Sequence, residues 1–434
     1  MKAPTAPGIG ATAPAYEDDG TGVTPMQIDV AAATSAAPAP ALIGIPTTNV
    51  PAALRRLQAI EVEMAALLLG RDDAVRAALL AVLARQHLVL LGPPGTAKSL
   101  LIEMLSERIA APTGGGLRRF VWLMSKFTTP EELFGPVSVQ GLKQDVYRRL
   151  TVGKLPEAEL VFLDEIFKSN SAILNALLTI MNERAFDNGP AHVPVPLIAL
   201  VGASNELPQG EDTAALWDRF LLRGMVEYVG DGDFGHLLRL AARSTPPTTL
   251  AQAELLALQA AAAALPIPDT ILDALLQLRK DLAARGIVPS DRRWRQILDL
   301  LRAQALLEGR ATVDEDDLIV LKDALWQTPE QRQEIARLAA RLANPLNARA
   351  VELGDQAVSV HTAAMDKQGE SSLDDEAKMG AAIEALGKLK RVGAELRRLE
   401  QQAVAQGRAT ARIAKEVARI AAMRERIASL VVEV

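Results

Sequence analysis

The chain has 434 residues, 49% of them apolar and only 3% aromatic, with a net charge of −6 and no cysteine. That length has room for several domains, and apolar content with so few aromatics favours cores built by helix packing. Without cysteine, disulfides, thiol catalysis and thiolate metal sites are excluded; His87, His192, His236 and His361 are too scattered for a histidine metal cluster, and the acidic balance argues against a general nucleic-acid binder.

Residues 1–49 are rich in Ala, Pro, Thr and Gly and hold few large apolar side chains, so they read as a disordered arm. Prolines soon after Lys2 exclude a secretory signal, and no run reaches the ~18–20 apolar residues of a membrane span. A soluble, cytoplasmic protein is expected. From 50 to 230, helical stretches alternate with short apolar runs. Leu54 to Leu83 predicts one or two helices broken near Gly70. The strand candidates are His87–Leu91, Phe120–Met124, Leu160–Leu163, Leu197–Gly202 and Met225–Val229. Such runs, separated by helices, predict a five-stranded parallel sheet covered on both faces, an α/β fold. Two stretches break the alternation and predict inserted hairpins, one at 136–155 with an internal glycine turn and one at 185–196 around Asp187-Asn188-Gly189-Pro190. Residues 230–244 read as a connector. The segment 245–328 is helical in pattern, with Thr312 available to cap the stretch that follows it. The segment 329–434 forms long alanine-rich helices around a polar loop at 366–376. Residues 381–434 hold eleven Lys/Arg against six Glu, a solvated bundle face or a docking surface for an acidic partner.

The residues that carry chemistry begin with "LVLLGPPGTAKSLLIEML", Leu88 to Leu105. A strand, a Gly-rich loop and a helix in this order can wrap phosphates with backbone N–H groups. The loop comprises Gly92, Pro93, Pro94, Gly95, Thr96, Ala97, Lys98, Ser99 and Leu100. Lys98 is placed for the β and γ phosphates of ATP, and Ser99 for Mg²⁺. The pattern G-x-x-x-x-G-K-S/T asks for glycine where this chain has Ala97. Alanine keeps the N–H, and at a negative φ, already helical, it is expected to be nearly neutral. Downstream, "LVFLDEI" ends a strand in two acids, Asp164 suited to Mg²⁺ and Glu165 to activating water. "ALVGASNEL" delivers Asn205, whose carboxamide can hold the attacking water or the γ phosphate. "LWDRFLLR" carries Arg219, and "SDRRWRQ" carries Arg292 and Arg293 in the first turn of a helix, where cations suggest a nearby anion.

This order of motifs resembles the AAA+ ATPases and, within them, the MoxR family and its RavA-like branch. "GPPGTAKS", "KFTTPEELFGP", "LWDRFLLR" and "SDRRWRQ" are similar to that branch over roughly Pro51–Glu330. The resemblance implies an AAA+ P-loop core, a helical lid and a C-terminal helical bundle. It implies that Lys98 and Ser99 form Walker A, Asp164 and Glu165 Walker B, and Asn205 sensor 1. Arg219 becomes the finger reaching a neighbouring subunit, with Arg223 as an assistant, and Arg292 or its rival Arg293 becomes sensor 2. The two inserts become the helix-2 and pre-sensor-1 hairpins. A homo-oligomeric ring is implied, as a hexamer, using ATP and Mg²⁺ to remodel a client protein alongside a partner with a von Willebrand factor A (VWA) domain. An NTP-driven motor on nucleic acid and an ATP-binding scaffold without turnover are the alternatives.

Overall fold

The computed structural model describes residues 49–112, 114–208, 210–239, 246–342, 345–369, 375–405 and 410–432, so the arm at 1–48 lies outside the described residues. Two helices open the fold. Asn49 caps Val50–Leu67, its side chain accepting from the Ala52 N–H, and Asp72 and Asp73 sit in the first turn of Asp72–Leu83. Gly70, at φ +67, breaks one from the other.

The strands follow in chain order: β1 Leu88–Leu91, β2 Ile109–Ala110, β3 Arg119–Leu123, β4 Leu160–Asp164, β5 Ala185–Asn188, β6 Ala191–Pro194, β7 Ala199–Ser204, β8 Leu222–Met225 and β9 Leu250–Ala251. Five of them form one parallel sheet in the order β3-β4-β7-β1-β8. Every residue of β1 and β7 is buried, the consequence of helices on both faces. His87, fully buried, ties the sheet to the helix Ser171–Glu183. Its Nε2–H donates to the Met181 carbonyl at 3.1 Å, and its Nδ1 accepts from the Leu200 N–H at 3.0 Å.

The fifth sheet strand lies three residues earlier than the apolar pattern places it, at Leu222–Met225. Arg223 and Gly224 hide it in the sequence. Arg223 is nonetheless 0% exposed, its guanidinium 4.1 Å from the Trp217 ring centre and close to the Trp326 carbonyl. The 136–155 insert is not a pair of strands. Ser138 caps a helical turn at Val139–Leu142, and a single bridge joins Val137 to Arg149. The second insert is a β5–β6 hairpin, and Asn188 stitches it to the first by accepting from the Arg149 N–H at 2.6 Å and donating to its carbonyl at 3.1 Å.

The connector contains a helix, Asp231–Leu238. Beyond β9 come the helices Gln252–Ala264, Asp269–Ala283 and Asp291–Leu307, a 3-10 segment Glu315–Asp323, and Pro329–Leu342. The 3-10 segment is capped by Asp314, not Thr312, whose hydroxyl donates to the Pro266 carbonyl. One hydrophobic core runs from the sheet and its helices through the helices after β9 to Pro329–Leu342, without Asp231–Leu238, and a second belongs to Pro345–Gly369, Asp375–Ala405 and Ala411–Val432. The helix therefore continues into the expected polar loop up to Gly369. The second core shows heptads: Ala350, Ala357 and Ala364 on one helix, Ala382, Leu389, Leu396 and Ala403 on the next, and Ile413, Ile420 and Ile427 on the third. Sevenfold spacing keeps each seam facing its partners, and the alanine helix leaves room for the isoleucines. Among the described residues, no single helix is long and apolar enough to cross a membrane.

Candidate active site

The parallel order brings the C-terminal ends of β1, β4 and β7 to one edge of the sheet, where α/β folds bind ligands. The loop 92–97 leaves β1 there and enters the helix Lys98–Arg108. Gly92 is fixed by close approach, since a Cβ on it would lie 1.9 Å from the Val226 carbonyl oxygen. Gly95 is at φ +78. Ala97 does not have the helical dihedrals expected of it: it sits at φ 64, ψ 24, in the left-handed region, and caps the helix from there. The general pattern G-x-x-x-x-G-K-S/T has glycine here, which takes that conformation without strain, and alanine adopts it at a cost of ~1–2 kcal/mol.

Lys98 is buried at the helix start, and its Nζ donates to the carbonyls of Gly92 at 2.8 Å and Pro93 at 2.9 Å. Burial lowers its pKa from the ordinary lysine value, against the pull of Asp164 and Glu165 nearby. Thr96 donates its hydroxyl to the Pro93 carbonyl at 2.9 Å. Arg71, which the sequence did not single out, donates from Nε to the Thr96 carbonyl at 3.1 Å and so pins the loop to the helices that precede β1. Leu100 is 45% exposed, while Ser99 lies in the first turn of the helix that Lys98 opens.

Asp164 closes β4, and its Oδ1 accepts from the Glu165 N–H at 3.0 Å. Glu165 is itself left-handed, at φ 53 and ψ 41, a strain kept at the end of a strand where the side chain must turn toward the sheet edge. Asn205, just beyond β7, donates from Nδ2 to Glu165 Oε1 at 2.7 Å, and Lys168 Nζ lies 3.3 Å from Oε2. The carboxamide thus meets the acid directly. Ser99 and Asp164 suit Mg²⁺, which in phosphate sites takes one or two protein groups and fills its other positions from phosphate and water. Among the described residues no group of three His, Cys, Asp or Glu could hold a metal ion.

The arginines separate clearly. Arg293 is 0% exposed and donates to the carbonyls of Leu221 at 2.8 Å, Ala324 at 2.6 Å, Phe220 at 2.8 Å and Asp218 at 3.1 Å. Burial pushes its pKa down to about 10 despite the Asp218 carboxylate. It is a pin between the sheet and the helices after β9, its guanidinium N–H groups donating to main-chain carbonyls. Arg223, expected to assist the finger, is buried and held against Trp217 and Trp326. Arg292 is exposed on the first turn of Asp291–Leu307, capped by Ser290, whose hydroxyl also donates to Asp218 at 3.0 Å. Arg219 ends the helix Glu211–Arg219, and its pKa is lowered first by burial and then by the charge of Arg292, with Asp218 opposing.

Comparison with known proteins shows the family and the fold. The family model described as the MoxR domain in the MoxR-vWA-beta-propeller ternary systems matches residues 55–277, and an AAA lid domain matches 270–338. Two uncharacterised proteins of Methanocaldococcus jannaschii are similar. One is 38% identical over 68% of this chain and 78% of its own length, the other 34% identical over 82% and 93%. Chaperone MoxR1 of Mycobacterium tuberculosis is 27% identical over 61% of this chain and 72% of its own. The crystal structure of a candidate ATPase from Cytophaga hutchinsonii shares the fold, with a TM-score of 0.55 at 16% identity, over 68% of this chain and 96% of that one.

Proposed function

The chain belongs to the MoxR family of AAA+ ATPases, and from that membership we propose that it hydrolyses ATP with Mg²⁺ in a homo-oligomeric ring, a hexamer by family resemblance, acting in the cytoplasm. The observation that carries the reading is the hydrogen bond from Asn205 to Glu165 beside Lys98, three groups brought from three adjacent strands. Lys98 supplies the point charge for the β and γ phosphates, and the backbone N–H groups of 92–97 wrap them. Held by Ser99 and Asp164, Mg²⁺ would neutralise charge on the phosphate oxygens. Glu165 takes the proton from the attacking water as the water oxygen bonds to the γ phosphorus, and the bridging oxygen leaves with ADP. Asn205 fixes the orientation of that base.

We assign Arg219 and Arg292 to a neighbour's site as a pair. The Ser290–Asp218 bonds and the Arg293 pin support this, because they make the start of Asp291–Leu307 travel with the end of Glu211–Arg219. The helices after β9 act as the lid, and the tail at 329–434 serves partner docking. The matched family model is named for systems that include a vWA protein. A VWA-domain partner, and remodelling of a client protein, follow as part of the proposal.

The test is subunit mixing. Glu165→Gln should bind ATP but hydrolyse it ~10²–10⁴-fold more slowly. Arg219→Ala should bind ATP, assemble, and also be slow. In mixed rings some interfaces pair an intact Glu165 with an intact Arg219, and activity partly returns. Wild-type hydrolysis by Glu165→Gln would end the assignment of the base, and wild-type hydrolysis by assembled Arg219→Ala would end that of the finger.

A further inference from the structure

Glu165 is held at both oxygens. Asn205, from the end of β7, donates to Oε1 at 2.7 Å, and Lys168 approaches Oε2 at 3.3 Å. Lys168 is three residues from Glu165 across a single 3-10 turn, Ile166–Lys168. That turn is rigidly seated. Ile166 is 0% exposed beneath it, and the Lys168 N–H donates to the Glu165 carbonyl at 2.9 Å. Ser169 closes it, its hydroxyl donating to the Ile166 carbonyl at 2.7 Å. Phe167 packs edge-on against Trp217 with ring centres 5.9 Å apart. The backbone of Lys168 is thus fixed relative to the carboxylate, while half of its side chain is open to solvent.

A carboxylate held at one oxygen can still turn about that hydrogen bond. Holding the second oxygen from another direction fixes its plane, and the rate of a proton transfer depends on that geometry. We propose that Lys168 is a positioning residue for hydrolysis, orienting Glu165 toward the attacking water. Lys98 is the other cation near this acid, but its Nζ is bonded to the Gly92 and Pro93 carbonyls and serves the phosphates. The proposal rests on Glu165 being the general base.

The experiment measures ATP hydrolysis by the full chain with Mg²⁺ for Lys168→Ala, Lys168→Arg, Glu165→Gln and the double variant Lys168→Ala/Glu165→Gln, together with ATP binding. Lys168→Ala should lower kcat about tenfold and change KM by less than twofold. Lys168→Arg, which keeps the cation, should recover most of the rate. In the Glu165→Gln background, removing Lys168 should have no further effect on the residual rate. The proposal is overturned if Lys168→Ala keeps the wild-type kcat, if its defect lies in KM, if Lys168→Arg is as slow as Lys168→Ala, or if the two losses multiply in the double variant. Wild-type hydrolysis by Glu165→Gln marks failure of the general-base reading instead, and is read separately from the Lys168 series.

Discussion

Replacing Ala97 by glycine should stabilise the nucleotide-binding unit, although glycine at an ordinary helical position does the reverse. Ala97 has φ 64 and ψ 24 at the mouth of the helix Lys98–Arg108. An L-residue in that conformation carries ~1–2 kcal/mol of strain, which glycine lacks. Against this, glycine makes the unfolded chain more flexible, an opposing effect of ~0.4–1 kcal/mol. The balance is a gain of roughly 0–1.5 kcal/mol for Ala97→Gly. If residue 97 had the negative φ of a helical residue, the strain term would vanish and glycine would destabilise by ~0.5–1 kcal/mol. The two geometries thus predict opposite signs. Thermal unfolding of the wild type, Ala97→Gly and Ala97→Val reads the sign directly. For a unit of ~150–250 residues, a gain of ~0.7 kcal/mol raises Tm by about 2 °C. The valine variant should fall below wild type, because a β-branched residue tolerates a positive φ poorly. A lower Tm for Ala97→Gly than for wild type would refute the left-handed assignment. ATP affinity should change little, since both residues present the same N–H.

Gly92→Ala should abolish ATP binding and cost more than ~3 kcal/mol, because the new Cβ falls 1.9 Å from backbone at Val226 and neither strand can yield; Gly95→Ala, which meets nothing within 4 Å, should show only the ~1–2 kcal/mol of left-handed strain, as denaturant titration of both will report. Arg223→Ala should destabilise by ~2–5 kcal/mol by emptying the space between Trp217 and Trp326 and orphaning buried carbonyls, and an unchanged unfolding midpoint would contradict that role. Burial holds the His87 imidazole well below its ordinary pKa, so the unfolded chain takes up the proton first. The stability this site contributes is present above about pH 6.5 and is lost as pH falls, at up to ~1.4 kcal/mol per pH unit until the folded pKa is reached. In His87→Gln the slope between pH 7.5 and 5.5 should flatten, and an identical slope would remove His87 as its source.

What could be read in advance follows a physical line. β1, β4 and β7 are buried on both faces, so their composition alone announces them. Asp164, Glu165 and Asn205 sit at the ends of such strands and Lys98 opens the helix that follows one, and both places can be located from the sequence. β8 escaped because Arg223 breaks its apolar run, and nothing local says that Trp217 and Trp326 will enclose a guanidinium. Dihedrals are equally silent: the identity of Ala97 is visible, its φ of 64 is not. The tail heptads were present in the sequence at 413, 420 and 427, but alanine-rich composition masked the period.

The two arginines of Asp291–Leu307 show the limit most sharply. Adjacent in sequence and alike in charge, Arg292 and Arg293 cannot be told apart by pattern. A helix turns by about 100° per residue, so neighbours point to different sides. One side meets the carbonyls at the end of Glu211–Arg219 and buries Arg293 completely; the other leaves Arg292 in solvent, where its charge lowers the pKa of Arg219. The same contact that consumes one arginine therefore aims the other. Because Asp218 accepts from Ser290 and faces Arg293 at 3.6 Å, the residue next to Arg219 also holds the start of the helix that presents Arg292. Under the proposed ring, an interface that draws on Arg219 also draws on Arg292, and shifting the helix start would misplace both.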